Sequence, residues 1–206
     1  MSDQSPTDFW SGDFGDAYAS RNVGRVEANI AFFERVLPEH LITATKTRIK
    51  SAVELGCGTG ENLMALWKMI PSVSLFGIEV NESSADKCKA GTITRGSFLT
   101  KKILPRELSF TKGVLIHVAP HDLPLAYEKL YEASRRYILI AEYHNPTPVE
   151  VEYRGHRGKL WKRDFAAELW AAYPDLKLMS TGFAWKHDPA GSQDDLAWFL
   201  FRKKAK

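Results

Sequence analysis

Residues 53–79, VELGCGTGENLMALWKMIPSVSLFGIE, narrow the possible folds of this chain more than any other stretch. Apolar Ala52 and Val53 lead into an E-x-G-x-G-x-G turn built from Glu54, Gly56, Gly58 and Gly60, with Cys57 inside it. Glycine adopts positive φ freely and lacks a Cβ, so the backbone can turn sharply and lie directly against a ligand. Amphipathic spacing over 61–69 predicts a helix, which Pro71 ends. The stretch 75–80 is almost wholly apolar, as a strand covered on both faces should be. Strand, glycine turn, helix and parallel strand make a βαβ unit, which needs a layered α/β domain to bury it.

The remaining sequence supplies that domain. Further strands are predicted at 92–98, 108–115, 136–143, 176–182 and 195–202, with helices at 82–90, 122–134 and 163–172. Asn81 opens the first of these helices as a cap, and Asn22 is placed to cap a helix over 24–36. Pro38 closes that early helix, and the segment after it reads as a short turn of helix. The alternation indicates an open, mostly parallel sheet with helices on both faces. A length of 206 residues and the lack of repeats fit one domain over 1–206. Within it, 1–38 is an N-terminal helical lid or cap, rich in aromatics that would be costly to leave in water. Residues 145–162 form an insert, and a loop that long in a compact domain is usually functional.

Composition removes several alternatives. A net charge of +3 is too small to imply nucleic acid, and the basic tail from Arg202 carries much of it. Cys57 and Cys88 have no metal-like spacing, which predicts free thiols in a reducing cytoplasm. No apolar run reaches the length of a membrane span, and the acidic start is unlike a signal peptide. The expectation is a cytoplasmic protein with no membrane or nucleic-acid partner; its oligomeric state is left open.

Ligands in open parallel sheets bind at the carboxyl ends of the strands. That edge carries the glycine turn, Glu79, Ser97, residues 112–117 and residues 143–145. Glu79 closes the second strand where dinucleotide-binding units place an acid to hold a ribose diol. Here the third glycine comes one residue earlier than in G-x-G-x-x-G. The pattern resembles the first motif of class I S-adenosylmethionine-dependent methyltransferases. The resemblance implies a Rossmann-like sheet of seven strands with an antiparallel last strand, and S-adenosyl-L-methionine as cofactor. It further implies that Glu54, Gly56, Cys57, Gly58 and Gly60 meet the methionine part and that Glu79 takes both ribose hydroxyls. Many enzymes of this class place an acid near the adenine amine, but FLTKKILPRELSF after Ser97 has none there, so Ser97 and Phe98 are assigned to adenine.

Three further stretches, FWSGDFGDAYASRN, FTKGVLIHVAP and AEYHNPTPVEVEYRGHRGKLWKRDFAAELW, resemble a narrower group. They look like the pseudaminic acid biosynthesis-associated methylases, which are linked to bacterial surface-sugar pathways. That likeness implies a small acidic acceptor, a sugar or sugar nucleotide. The alternatives are a non-sugar metabolite with an amine or carboxylate and, further off, RNA.

Methyl transfer needs an aligned acceptor and, for a hydroxyl or ammonium, a group to take its proton. His117, Tyr143 and His144 are the candidates. His117 has an ordinary pKa of about 6.5, suited to neutral pH, and an alternative role packing against the cofactor. His117 and His121 are separated by a spacing that metal ligands use on helices, but Pro120 breaks that turn, so no metal is expected. In the insert, Asn145, Arg154, His156, Lys162 and Arg163 are candidate substrate contacts, because arginine forks bind carboxylate or phosphate. The same cations could form a solvated loop. Tyr18 and Arg21 are assigned to the cofactor carboxylate, with pairing to Asp13 or Asp16 as the alternative for Arg21. Lys112 is assigned to the cofactor site; too costly to bury alone, it is expected to pair with an acid there, with a structural pairing to Glu54 or Glu142 as the alternative to direct catalysis.

Overall fold

Seven strands hydrogen-bond into one sheet in the computed structural model, which describes residues 4–21, 24–44 and 48–204. The strands are β1 (Ser51–Leu55), β2 (Ser74–Glu79), β3 (Thr92–Arg95), β4 (Arg106–Lys112) and β5 (Ser134–Glu142), then β6 (Val149–Glu150), β7 (Trp161–Lys162), β8 (Leu176–Ala184) and β9 (Leu196–Lys203). The sheet runs β3-β2-β1-β4-β5-β9-β8. Every pairing from β3 to β5 is parallel, and β9 runs antiparallel to both of its neighbours. The antiparallel last strand of the Rossmann-like expectation is therefore β9. Strands β6 and β7 form a separate small hairpin that closes the neck of the 145–162 insert.

The helices are α1 (Pro6–Ser11), α2 (Asp13–Arg21), α3 (Val26–Val36), α4 (Glu39–Ile42), α5 (Glu61–Met69), α6 (Glu82–Lys87), α7 (Leu123–Glu132) and α8 (Phe165–Ala172). Side chains alternate across a strand, so each buried strand feeds two cores. Ala52, Leu108, Phe110 and Leu139 meet Phe33 of α3 and Leu66 of α5 on one face. Val53, Leu55, Ile138 and Ile140 meet Leu130 of α7 and Leu169 of α8 on the other. Both faces of the central strands are covered, which makes most of β1 and β5 apolar, although β4 buries Ser109 and Thr111 as well.

Several boundaries differ from expectation for local reasons. Strand β3 stops at Arg95 because Gly96 turns the chain at φ +121°, leaving Ser97 and Phe98 in a turn. Strand β4 stops at Lys112 before Gly113 at φ +68°, and Leu115–His117 coil into a 3₁₀ turn instead of extending the strand. Helix α6 starts as predicted, with the Asn81 side chain accepting from Ser84 N at 2.7 Å. The cap expected from Asn22 lies outside the described residues, and α3 begins after Arg25 without a side-chain cap. Within the N-terminal region, α3 belongs to the sheet layers, whereas α1 and α2 sit at the carboxyl edge of the strands. Asn81 Nδ2 anchors them there, donating to Asp16 Oδ1 at 2.8 Å and to the Trp10 carbonyl at 3.3 Å.

Candidate active site

A cavity of about 380 Å³ opens at the carboxyl edge, between the glycine turn, the ends of β2 and β4, helices α1 and α2, and the tip of the insert. Its floor is the turn itself. Gly56, Gly58 and Gly60 stand at φ +78°, +53° and +81°, a region side chains disfavour. Their surroundings separate their roles. A Cβ on Gly56 would strike Val114 at 2.7 Å and one on Gly60 would strike the Cys88 thiol at 2.1 Å, whereas one on Gly58 would meet nothing within 4 Å. Gly58 thus presents bare backbone to the cavity, while Gly60 packs behind it at the start of α5. Cys57 lines the cavity and turns its thiol toward Gly77, where an added Cβ would lie 2.5 Å from the sulfur.

Glu79 is fixed by the turn it faces. Gly58 N donates to its Oε2 at 2.7 Å and Asn81 N to its Oε1 at 2.8 Å. Burial pushes its carboxyl upward, and these two amides oppose that shift. Each oxygen keeps a lone pair for a further donor, which suits a diol.

Glu54 is 1% exposed and has a less balanced environment. Asn62 Nδ2 donates to its Oε1 at 2.6 Å, and its Oε2 is buried with no hydrogen-bond partner among the described residues. Burial pushes the Glu54 carboxyl up to about 8. An unpaired buried carboxylate oxygen beside a cavity is a vacancy for a cationic donor. Lys112 approaches from β4, but it donates to Asn29 Oδ1 at 3.2 Å, and no carboxylate lies within ion-pair distance of it among the described residues. The expected Lys112–acid contact is therefore replaced by an amide, with Glu54 acting only through its field. Burial lowers the Lys112 ammonium to about 8. Glu142 is no partner either, because it accepts from Val114 N at 2.9 Å and Ile116 N at 3.4 Å and so holds the turn that carries His117. Arg25 completes this end, reaching Asp194 at 3.4 Å from the β8–β9 side.

The opposite end is formed by Ser97, Phe98 and Leu99, with the Gly96 amide tied to the Glu79 carbonyl at 2.7 Å. Phe98 is 8% exposed and offers an apolar wall to this end of the cavity.

Above the floor, Trp10, Tyr18, His117, Tyr143, Tyr153 and Arg154 enclose the remaining space. The Trp10 and His117 rings are 4.5 Å apart, and Tyr153 is 5.1 Å from His117. His117 Nδ1 lies 2.7 Å from the Lys159 carbonyl, which can only accept. That contact places the proton on Nδ1 and leaves Nε2 as a bare lone pair. Burial depresses the imidazole to about 4, well below the ordinary value expected from sequence. Burial raises the Tyr143 phenol, so at neutral pH it keeps its proton and can donate a hydrogen bond. Tyr18 is raised likewise, to about 12.

The other sequence-nominated residues do not line the cavity. His144 is 3.5 Å from Asp164, and Arg163 pairs with Glu168 at 2.8 Å. Asn145 is bound to the Thr147 carbonyl, Lys162 lies over the Tyr143 ring at 5.4 Å, and His156 packs on Phe9 at 4.9 Å. Arg21, at the end of α2, is 5.8 Å from the Phe14 ring. Most of the basic insert therefore serves packing, and Arg154 alone of the nominated insert cations reaches the site. Arg154 and Gly155 both have positive φ, +51° and +83°, in a tight turn that the Tyr153–His156 backbone pair closes. Asn29, Arg25, Asn62 and Asp194 were not nominated. Asn62 alone carried a signal, lying on the first turn of the helix after the glycines.

No protein-family model matches the sequence, and no curated protein matches it. Solved structures do resemble its fold. Magnesium protoporphyrin IX methyltransferase from Synechocystis PCC 6803, with S-adenosylhomocysteine bound, superposes with a TM-score of 0.66 at 10% identity, covering 96% of this chain and 98% of that one. The 1,6-didemethyltoxoflavin-N1-methyltransferase of Burkholderia thailandensis, solved with 1,6-didemethyltoxoflavin and S-adenosylhomocysteine, gives 0.68 at 13% identity over 93% and 85%. An S-adenosylmethionine-dependent methyltransferase from Leishmania major gives 0.64 at 15% identity over 96% and 86%. The chain has the fold of the class I S-adenosylmethionine-dependent methyltransferases.

Proposed function

We propose that the protein transfers the methyl group of S-adenosylmethionine to a small acidic acceptor, a sugar or sugar nucleotide of a bacterial surface-glycan pathway of the pseudaminic acid type. The cofactor assignment is carried by the fit of the cavity. Glu54 Oε2 offers an acceptor without a partner to an ammonium, Gly58 leaves room for a chain against the backbone, and Glu79 has spare lone pairs for a ribose diol. Ser97 and Phe98 bound a space for adenine. Lys112 and Arg25 are the cations available to the methionine carboxylate. When bound, the cofactor supplies an electrophilic methyl on a sulfonium, already a good leaving group.

The protein's part is then alignment and proton management. Trp10, Tyr153 and Tyr143 enclose the acceptor, and the Tyr143 phenol can donate to it. His117 Nε2 is available for the acceptor's proton. A neutral alcohol would not surrender a proton to a base near 4, but its oxygen becomes strongly acidic once the bond to carbon forms. A weak base already in its neutral form is then sufficient.

The acidic character of the acceptor rests on Arg154. It lines the cavity and has no carboxylate within ion-pair distance among the described residues, whereas Arg157 and Arg163 each face one. The sugar pathway is suggested by the motif likeness to the pseudaminic acid biosynthesis-associated methylases. The aromatic enclosure supports a second reading, a planar non-sugar metabolite. Incubation with S-adenosylmethionine and a panel of nonulosonic acids, their nucleotide conjugates and aromatic acids, read by mass, separates these. A gain of one methyl on an acidic sugar supports the first reading. Methylation confined to the aromatic acids would replace it, and no product from any acceptor despite cofactor binding would remove both.

A further inference from the structure

The insert is exposed along most of its length, yet Lys159 is only 6% exposed. Burying an ammonium is costly unless donors and acceptors around it compensate. The contacts of Lys159 lead to separate parts of the molecule. Its carbonyl accepts from His117 Nδ1 at 2.7 Å. Its Nζ donates to the Gln4 carbonyl, just before α1, and sits 5.6 Å from the Phe9 ring on α1. One residue thus joins the candidate base, the insert and the N-terminal helix.

These contacts are coupled through the aromatic layer. Phe9 packs on Phe14 at 4.2 Å and on His156 at 4.9 Å, and Trp10 of the same helix covers the imidazole. If α1 leaves, Nζ loses its acceptor and its ring face together and turns to water, so the tether that holds Lys159 in place is lost. The Lys159 backbone would then move, and its carbonyl with it. Among the described residues, the Lys159 carbonyl is the hydrogen-bond partner that fixes which imidazole nitrogen carries the proton.

We propose that Lys159 is a positioning residue, which makes docking of the N-terminal helix a condition for the Nδ1-protonated form of His117. The acceptor's proton then has a place to go only while the site is covered. The proposal rests on the methyltransferase reading above for the use made of His117, but its geometry is testable without turnover.

Nitrogen NMR of the full-length protein labelled with ¹⁵N-histidine reads the form of His117 directly, with His117→Asn assigning the signal. The wild type is expected to show protonated Nδ1 and bare Nε2. In Lys159→Met, which keeps the aliphatic stem, His117 is expected to become a mixture of both forms and proteolysis at Phe9 and Trp10 to accelerate. Its kcat should fall about ten- to a hundredfold with little change in acceptor KM. Lys159→Arg is expected to restore much of the wild-type signal. Phe9→Leu loosens the same contact without touching Lys159 and should shift His117 in the same direction. Protonated Nε2 in the wild type would overturn the proposal. So would a Lys159→Met protein with a freed N-terminus and an unchanged His117. A wild type that shows the expected His117 signals but methylates nothing would leave this coupling standing and remove the proposed function instead.

Discussion

Glu54→Gln should stabilise the cofactor-free protein at alkaline pH while weakening its hold on the cofactor. The side chain is fully buried, with one oxygen on Asn62 and the other without a hydrogen-bond partner among the described residues. Burial holds its carboxyl near 8, against an ordinary value of 4.5. An acid raised on folding keeps its proton in the native state while the unfolded chain releases it, so stability is intact below 4.5 and is lost as pH rises toward 8. From pH 5 to pH 8 the loss attributable to Glu54 is at most about 3.5 kcal/mol, the figure that follows from the full shift. Glutamine preserves the Asn62 contact and cannot ionise. Its unfolding midpoint in urea should match the wild type near pH 5 and exceed it at pH 8. Cofactor binding should reverse the preference, because an ammonium over Oε2 requires the carboxylate. At pH 7 the wild type is expected to release close to one proton on binding, seen by calorimetry in buffers of different ionisation enthalpy, and the variant none. The variant's affinity should fall about 10- to 100-fold, the loss of one charge-assisted hydrogen bond. Equal destabilisation of the variant at both pH values, with unchanged proton release, would refute the reasoning.

Other consequences concern the base, the glycine turn and the insert. With His117 depressed to about 4, kcat should stay flat from pH 8 to 5 and fall only as pH drops through about 4. His117→Asn, which keeps a donor to the Lys159 carbonyl, should lower kcat about 10²–10⁴-fold without unfolding the protein, and an acid limb near 6.5 in the wild type would contradict this assignment. Gly60→Ala should destabilise the fold strongly, since its Cβ would meet Cys88 at 2.1 Å. Gly58→Ala should cost only about 1–2 kcal/mol of strain yet impair cofactor binding, because its Cβ would enter the cavity, and thermal unfolding beside calorimetry separates the two. Arg154→Gln should raise acceptor KM with cofactor affinity unchanged, and the opposite pattern would move Arg154 to the cofactor side.

The fold was readable because its information is local. Two-sided burial makes β1, β2 and β5 apolar runs, and the turn glycines fall where backbone geometry demands them. The end of the cavity beside Glu54 was half readable. Glu54 and Glu79 sit at fixed offsets from those glycines, but Asn29 and Asp194 arrive from α3 and from the approach to β9, far away in sequence. Their presence follows from how those elements pack, which no local pattern records. The insert misled for a related reason. Its cations form a charged run in sequence, yet the β6–β7 hairpin and the Arg154–Gly155 turn point Lys162, Arg163 and His156 at Tyr143, Glu168 and Phe9. Of the nominated cations in the insert, Arg154 at the tip is the one that remains at the cavity. The pKa of His117 could not be anticipated either, because its burial comes from Trp10 and Tyr153, which belong to two different segments.

Binding of the demethylated cofactor tests the central claim most directly. Titration calorimetry with S-adenosylhomocysteine should give one site per chain in the wild type. Glu79→Ala, confirmed folded by thermal unfolding, should bind at least about tenfold more weakly, having lost a charged acceptor for the ribose hydroxyls. No heat from the wild type at millimolar ligand, or an alanine variant that binds identically, would contradict the account.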